Sequence, residues 1–149
     1  MNFTINEQQF ERDLMQVAKD VTQPVEAAMA GIFETCVRAN FGAFGFERAR
    51  EWAPLSNRSE AGRAYIALTG RSYATLEFTG AMKSNLRVDG NNVVLEANAD
   101  APYAIEHEEG VPWRHLPARP VFPMWNGECL PKTYGLVVDA AQNELNRQL

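Results

Sequence analysis

Cysteine is scarce in this chain: Cys36 and Cys129 are the only two in 149 residues. Two cannot build a disulfide framework, and a reducing cytosol is the simpler setting. Long apolar runs are missing too. The longest, counting glycine, is Ala27 to Phe33, far short of the roughly 20 residues needed to cross a bilayer, so no membrane partner is expected. Met1-Asn2-Phe3-Thr4 lacks the basic and apolar regions of a secretion signal. Basic charge is thin as well. Fourteen Lys and Arg against 19 Asp and Glu leave a net charge of −5. A grip on nucleic acid needs clustered cations that displace counterions. The densest basic stretch here is Arg48-Ala49-Arg50, which argues against a DNA-binding module. The acidic balance still suits a wall past which DNA slides without sticking.

What remains is ordinary globular material. With 46% apolar and 22% charged residues, the chain reads as one folded domain over 1–149. The N-terminal quarter is helical: Phe10, Leu14, Val17, Val21, Val25, Ala28, Ile32 and Cys36 recur by threes and fours on one face. Asn6 can cap this helix and Ile5 can staple onto Phe10. Pro24 sits inside the pattern and should kink the helix or split it near 21–23. From Glu7 to Asn40 such a helix is about 50 Å long, more than the core of this domain can cover. Part of it should pack on something else, a neighbouring subunit being one candidate.

Phe41-Gly42-Ala43-Phe44-Gly45-Phe46 ends the helix, and 52–62 reads as loop. Ala64, Ile66 and Leu68, then Ala74, Leu76 and Phe78, alternate around Thr69-Gly70-Arg71-Ser72 and suggest a β-hairpin. A second hairpin follows, with Leu86 and Val88 before Asp89-Gly90-Asn91-Asn92 and Val93, Leu95 and Ala97 after it. Residues 102–109 suit a helical turn closed by Gly110. Five prolines between Pro112 and Pro131 leave that stretch extended or looped, with one short edge strand near Val121. A last helix places Tyr134, Val137, Val138, Ala141 and Leu145 on one face. The expected class is α+β: a long N-terminal helix, a mostly antiparallel sheet with hairpins, and a C-terminal helix.

Candidate chemistry is weak. His107 stands among Glu106, Glu108 and Glu109, with His115 eight residues on. A zincin helix needs its second His four residues after the first, where Val111 stands. A metal-dependent hydrolase centred on His107 is therefore a rival reading, and the bland one is an acidic turn with one packed His. Gly70-Arg71-Ser72-Tyr73-Ala74 lacks the last glycine of a nucleophile elbow. Gly80-Ala81-Met82-Lys83-Ser84 lacks the glycines of a phosphate loop. Cys36 fits a small core residue. Trp113 and Trp125 suit a core anchor and an interface anchor equally. No catalytic residue, metal ligand or cofactor site is expected.

Four pieces then fall in order: Trp52-Ala53-Pro54-Leu55-Ser56, Thr79-Gly80-Ala81-Met82-Lys83-Ser84, Pro102-Tyr103-Ala104-Ile105-Glu106-His107 with Gly110, and Leu116-Pro117-Ala118-Arg119-Pro120-Val121-Phe122. Over residues 52–122 this resembles the phage virion morphogenesis family, the tail completion proteins of Mu-like and related phages. That pattern runs from a Trp-Pro-Leu-Ser-like element through Thr-Gly-x-Leu-x-x-Ser and Tyr-Ala-x-x-His to Pro-Ala-Arg-Pro-Phe. Met82 stands where leucine is usual, and Glu108-Glu109 replaces glutamine and an apolar residue. The resemblance implies a structural subunit that closes into a ring, a hexamer, at the head-proximal end of a tail. Implied partners are further copies, the tail tube protein and head-completion or connector proteins, with DNA passing through the lumen. A head-side neck component is the related alternative. Trp52, Gly80, Tyr103, His107, Trp113, Arg119, Phe122 and Trp125 are the candidate structural or interface residues. The long helix and the proline-rich segment are the expected intersubunit surfaces.

Overall fold

The computed structural model describes residues 7–42, 45–53, 60–69, 80–98, 101–114 and 116–149. The fold is α+β. In chain order it has helix α1 (Glu7–Ala39), helix α2 (Glu60–Thr69), short helix α3 (Ala81–Ser84), and strands β1 (Leu86–Asp89) and β2 (Asn92–Leu95). Helix α4 (Ala104–Glu109), a 3-10 turn (Pro112–Arg114), strands β3 (Met124–Trp125) and β4 (Glu128–Cys129), and helix α5 (Pro131–Gln148) follow.

Helix α1 keeps its spacing for 33 residues and runs unbroken through Pro24, so the split at 21–23 does not occur. An interior proline costs about 3 kcal/mol. Val21, Val25 and Ala28 flank it, all partly buried, and their packing offsets that cost. The expected cap at Asn6 and staple from Ile5 lie outside the described residues.

Helix α5 packs along α1. Glu47, just past the end of α1, accepts hydrogen bonds from the N–H groups of Lys132 and Thr133. The start of α5 therefore meets the end of α1, and the two helices run antiparallel. At the same rise of about 1.5 Å per residue, the shorter α5 reaches its last turn near Val21. Every residue from Glu11 to Asp20 is exposed. The first turns of α1 thus project about 20 Å beyond the end of α5.

The face of α5 differs from expectation. Val137, Ala141 and Leu145 are partly buried, but Tyr134 and Val138 are exposed, and Thr133, Ala140 and Glu144 turn inward instead. The Glu47 bonds to the first turn set this rotation. They hold Thr133, fully buried, against α1.

The sheet content is two separate antiparallel hairpins. β1 pairs β2 from Leu86↔Leu95 to Asp89↔Asn92, and β3 pairs β4 at Met124↔Cys129 and Trp125↔Glu128. The first is the hairpin expected over 86–97. The hairpin expected over 64–78 is corrected in its first arm, which is α2. Ala64 and Ala67 are strong helix formers, and ten residues suit a helix better than a strand. Its second arm lies outside the described residues. Val121 itself lies in no strand, its N–H bonding to the Glu108 carboxylate rather than to a ladder; the short strand of this stretch is β3, which starts at Met124.

The core gathers at the C-terminal end of α1. Val37 and Phe41 pack with Met82, Leu86, Ala101, Ala104 and Val121, ringed by Phe33, Trp52, Val93, Leu95, Tyr103 and Phe122. Arg38 ties α1 to this region, donating to the carbonyls of Lys83 (3.4 Å) and Leu86 (3.2 Å) while paired with Glu34.

Candidate functional site

Asn40 terminates α1 and is fully buried. Its Nδ2 donates to the carbonyls of Glu47 (2.6 Å) and Val121 (2.8 Å), and its Oδ1 accepts from the N–H groups of Phe46 and Glu47 (2.8 Å each). One amide thus joins the helix end, the loop after it and the proline-rich segment. Burial alone would raise the pKa of Glu47, but the amides of Lys132 and Thr133 outweigh it and the pKa falls. The carboxylate stays charged at the start of α5, where the helix dipole favours it.

Arg48 donates to the carbonyls of Asn40 and Gly42 and lies 3.4 Å from the centre of the Trp52 ring. Burial pulls its pKa down to about 10, which leaves it charged at neutral pH. Trp52 in turn donates its indole N–H to the Pro120 carbonyl at 3.1 Å.

Around that contact the resembled pieces meet. The Arg119 N–H donates to the His107 carbonyl at 2.6 Å, and its guanidinium reaches the Ala53 carbonyl at 3.3 Å. Glu108 accepts from the N–H of Val121 (2.7 Å) and of Phe122 (3.4 Å) with separate oxygens. Phe122 stacks near Phe33, ring centres 6.2 Å apart. Tyr103 meets His107 edge-on at 5.5 Å. So Trp52, Tyr103, His107, Arg119 and Phe122 form one node that fastens the proline-rich segment to α4 and to the loop after α1. Gly80 lies apart from it, at φ 75° before α3, its carbonyl accepting from Ser84.

Trp113 and Trp125 stand outside the node. Trp113 is 82% exposed, and its loop is braced. Val111 and Leu116 form a β-bridge, and Arg114 pairs with both carboxylate oxygens of Glu106 at 2.9 and 3.0 Å. Trp125 is half exposed on the second hairpin, with the Arg50 guanidinium 5.7 Å from its ring centre. Neither is a core residue.

The chemistry of the node is that of a fastening. Burial lowers the pKa of His107, the nearby Arg119 cation lowers it further, and Glu106 opposes them. Burial raises the pKa of Glu108 against the pull of the Val121 and Phe122 amides. Among the described residues, the His107 Nδ1 and Arg119 Nε atoms are buried without a hydrogen-bond partner. No group of three or more His, Cys, Asp or Glu able to hold a metal occurs among the described residues, and no helix there is long and apolar enough to cross a membrane. His115 lies outside them. Asn40, Glu47 and Arg48 join the site unannounced by any motif, and Glu108, noted in the sequence only beside His107, joins it through Val121 and Phe122. No family model matches the chain, and neither does any curated protein or solved structure.

His107 makes the stability of the fold depend on pH. Its folded pKa lies below the ordinary 6.5, so the unfolded chain takes up the proton first as pH falls. The stability this gives is complete above about pH 6.5 and is lost as pH drops through the lower folded value. Relative to His107→Gln, wild type should lose stability between pH 7 and 5, read by urea unfolding at each pH. Parallel curves for the two proteins would contradict it.

Proposed function

We propose that this chain is a structural phage protein, a tail-completion subunit that closes into a ring, caps the tail tube, helps join tail to head, and leaves a lumen for DNA. The observation that carries the reading is the projecting start of α1. It leaves Leu14 and Val17, three residues apart on one side of the helix, both 58% exposed. Braced Trp113 supports the reading as a second outward anchor, since tryptophan is enriched at binding hot spots. The node adds a different support: the residues of the resembled pattern hold a rigid scaffold together.

Magnitudes favour a closed ring over a simple pair. Covering the remaining exposed area of Leu14 and Val17 contributes on the order of 1–2 kcal/mol each. Association costs roughly 4–15 kcal/mol in lost freedom, so one such contact alone holds a pair together only at high concentration. In a ring each subunit both gives and receives the contact, and closure makes the last contact intramolecular.

Electron microscopy of purified wild type is expected to show annular particles. Leu14→Glu/Val17→Glu, a change confined to exposed positions, should abolish them while circular dichroism stays the same. In assembled particles, cross-linking should join the chain to the tail tube protein. Annuli that survive the double substitution would overturn the role of the projecting helix.

A further inference from the structure

The α1–α5 pair leaves two apolar strips uncovered, and they lie at opposite ends of it. One is the projecting strip of α1, Leu14 and Val17, in helical register with the partly buried Val21, Val25 and Ala28. The other is the outer flank of α5. Tyr134 (59% exposed) and Val138 (44% exposed) are four residues apart and so share a side, which runs on to the partly buried Ala141 and Leu145. Each strip has the chemistry of one half of the contact already made inside the chain.

One molecule cannot join them. The α1 strip lies beyond the last turn of α5, whereas Tyr134 sits in its first turn, and both belong to continuous helices. A second copy can. We infer that the projecting start of α1 lies along the α5 flank of the next copy, Leu14 and Val17 against Tyr134 and Val138, making a three-helix contact with that copy's own α1 and α5. The lengths agree. The α5 strip from Tyr134 to Leu145 runs about 16 Å, and the projection about 20 Å. The contact joins unlike surfaces, so it repeats head to tail and generates a ring when its rotation closes. An amphipathic helix laid in an apolar groove is a common mode of recognition. This inference rests on the self-assembly reading above and names the surface that receives the projecting helix.

The test mixes two variants. Leu14→Glu/Val17→Glu loses the donor strip and keeps the receiving one. Tyr134→Glu/Val138→Glu does the reverse. All four positions are exposed, so both variants are expected to fold, checked by circular dichroism. Each alone should be monomeric by light scattering. Mixed in equal amounts at high concentration, they should form a 1:1 pair and nothing larger, because each contributes one intact strip. Wild type that assembles while Tyr134→Glu/Val138→Glu assembles equally well would overturn this pairing and leave the self-assembly reading standing. Two monomeric variants that stay apart when mixed would also overturn it. Wild type that never associates would remove both.

Discussion

Asn40→Ala should destabilise the protein by about 3–5 kcal/mol, a very large effect for one side chain. Asn40 serves four backbone groups at once: the carbonyls of Glu47 and Val121 and the N–H groups of Phe46 and Glu47. An orphaned buried group costs about 1–3 kcal/mol. Phe46 is exposed enough for water to replace part of the loss, so the total falls short of four full penalties. Asn40→Asp is no remedy. It keeps an acceptor for the two N–H groups but sets a negative oxygen against two carbonyls. Urea unfolding measures the change. A loss under about 1 kcal/mol would show that the node does not depend on this amide.

Gly110→Ala should cost about as much, for a different reason. Gly110 has φ 78° and ψ 164°, a region essentially confined to glycine and worth about 1–3 kcal/mol of strain for other residues. An added Cβ would also lie 2.7 Å from the Ala118 amide nitrogen and 3.1 Å from the Leu116 carbonyl oxygen. These are backbone atoms and cannot step aside, so the bridge between Val111 and Leu116 must shift. A melting temperature lower by roughly 10 °C is expected for a domain of this size. Gly80→Ala is the contrast. Its φ is also positive, but nothing lies within 4 Å of the added atom, so only the conformational cost of about 1–2 kcal/mol applies. Equal effects at the two glycines would refute the packing argument at Gly110.

The helical ends of this fold are legible in the sequence because their apolar positions recur at helical spacing over many residues. The hairpin at 86–95 is legible because Asp89-Gly90-Asn91-Asn92 separates two apolar runs. The second hairpin carries an equally plain signal: Asn126 and Gly127 both adopt positive φ, as a two-residue type I′ turn requires. Its strands are only two residues long, and the surrounding prolines hide them. Helix α2 misleads because Ala64, Ile66 and Leu68 satisfy a period of two by accident, while the alanines favour a helix.

The node is the least legible part. Trp52, Tyr103, His107, Arg119 and Phe122 stand out in the resembled pattern, yet nothing local reveals that they meet. Asn40, Glu47 and Glu108 act on segments far along the chain, and such pairings leave no periodicity. Glu47 does have an indirect trace. Helix α5 opens on Leu130, Pro131 and Lys132 with no capping side chain of its own, so its free N–H groups call for an acceptor from elsewhere. The rotation of α5 that exposes Tyr134 and Val138 depends on that distant bond and cannot be read from the helix alone.

The most direct measurement is the native mass of the purified chain across a wide concentration range. Self-assembly through the projecting helix predicts one dominant species at a fixed multiple of 16.7 kDa, six copies for the hexamer, with few intermediates. A mass of 16.7 kDa at every concentration would contradict it.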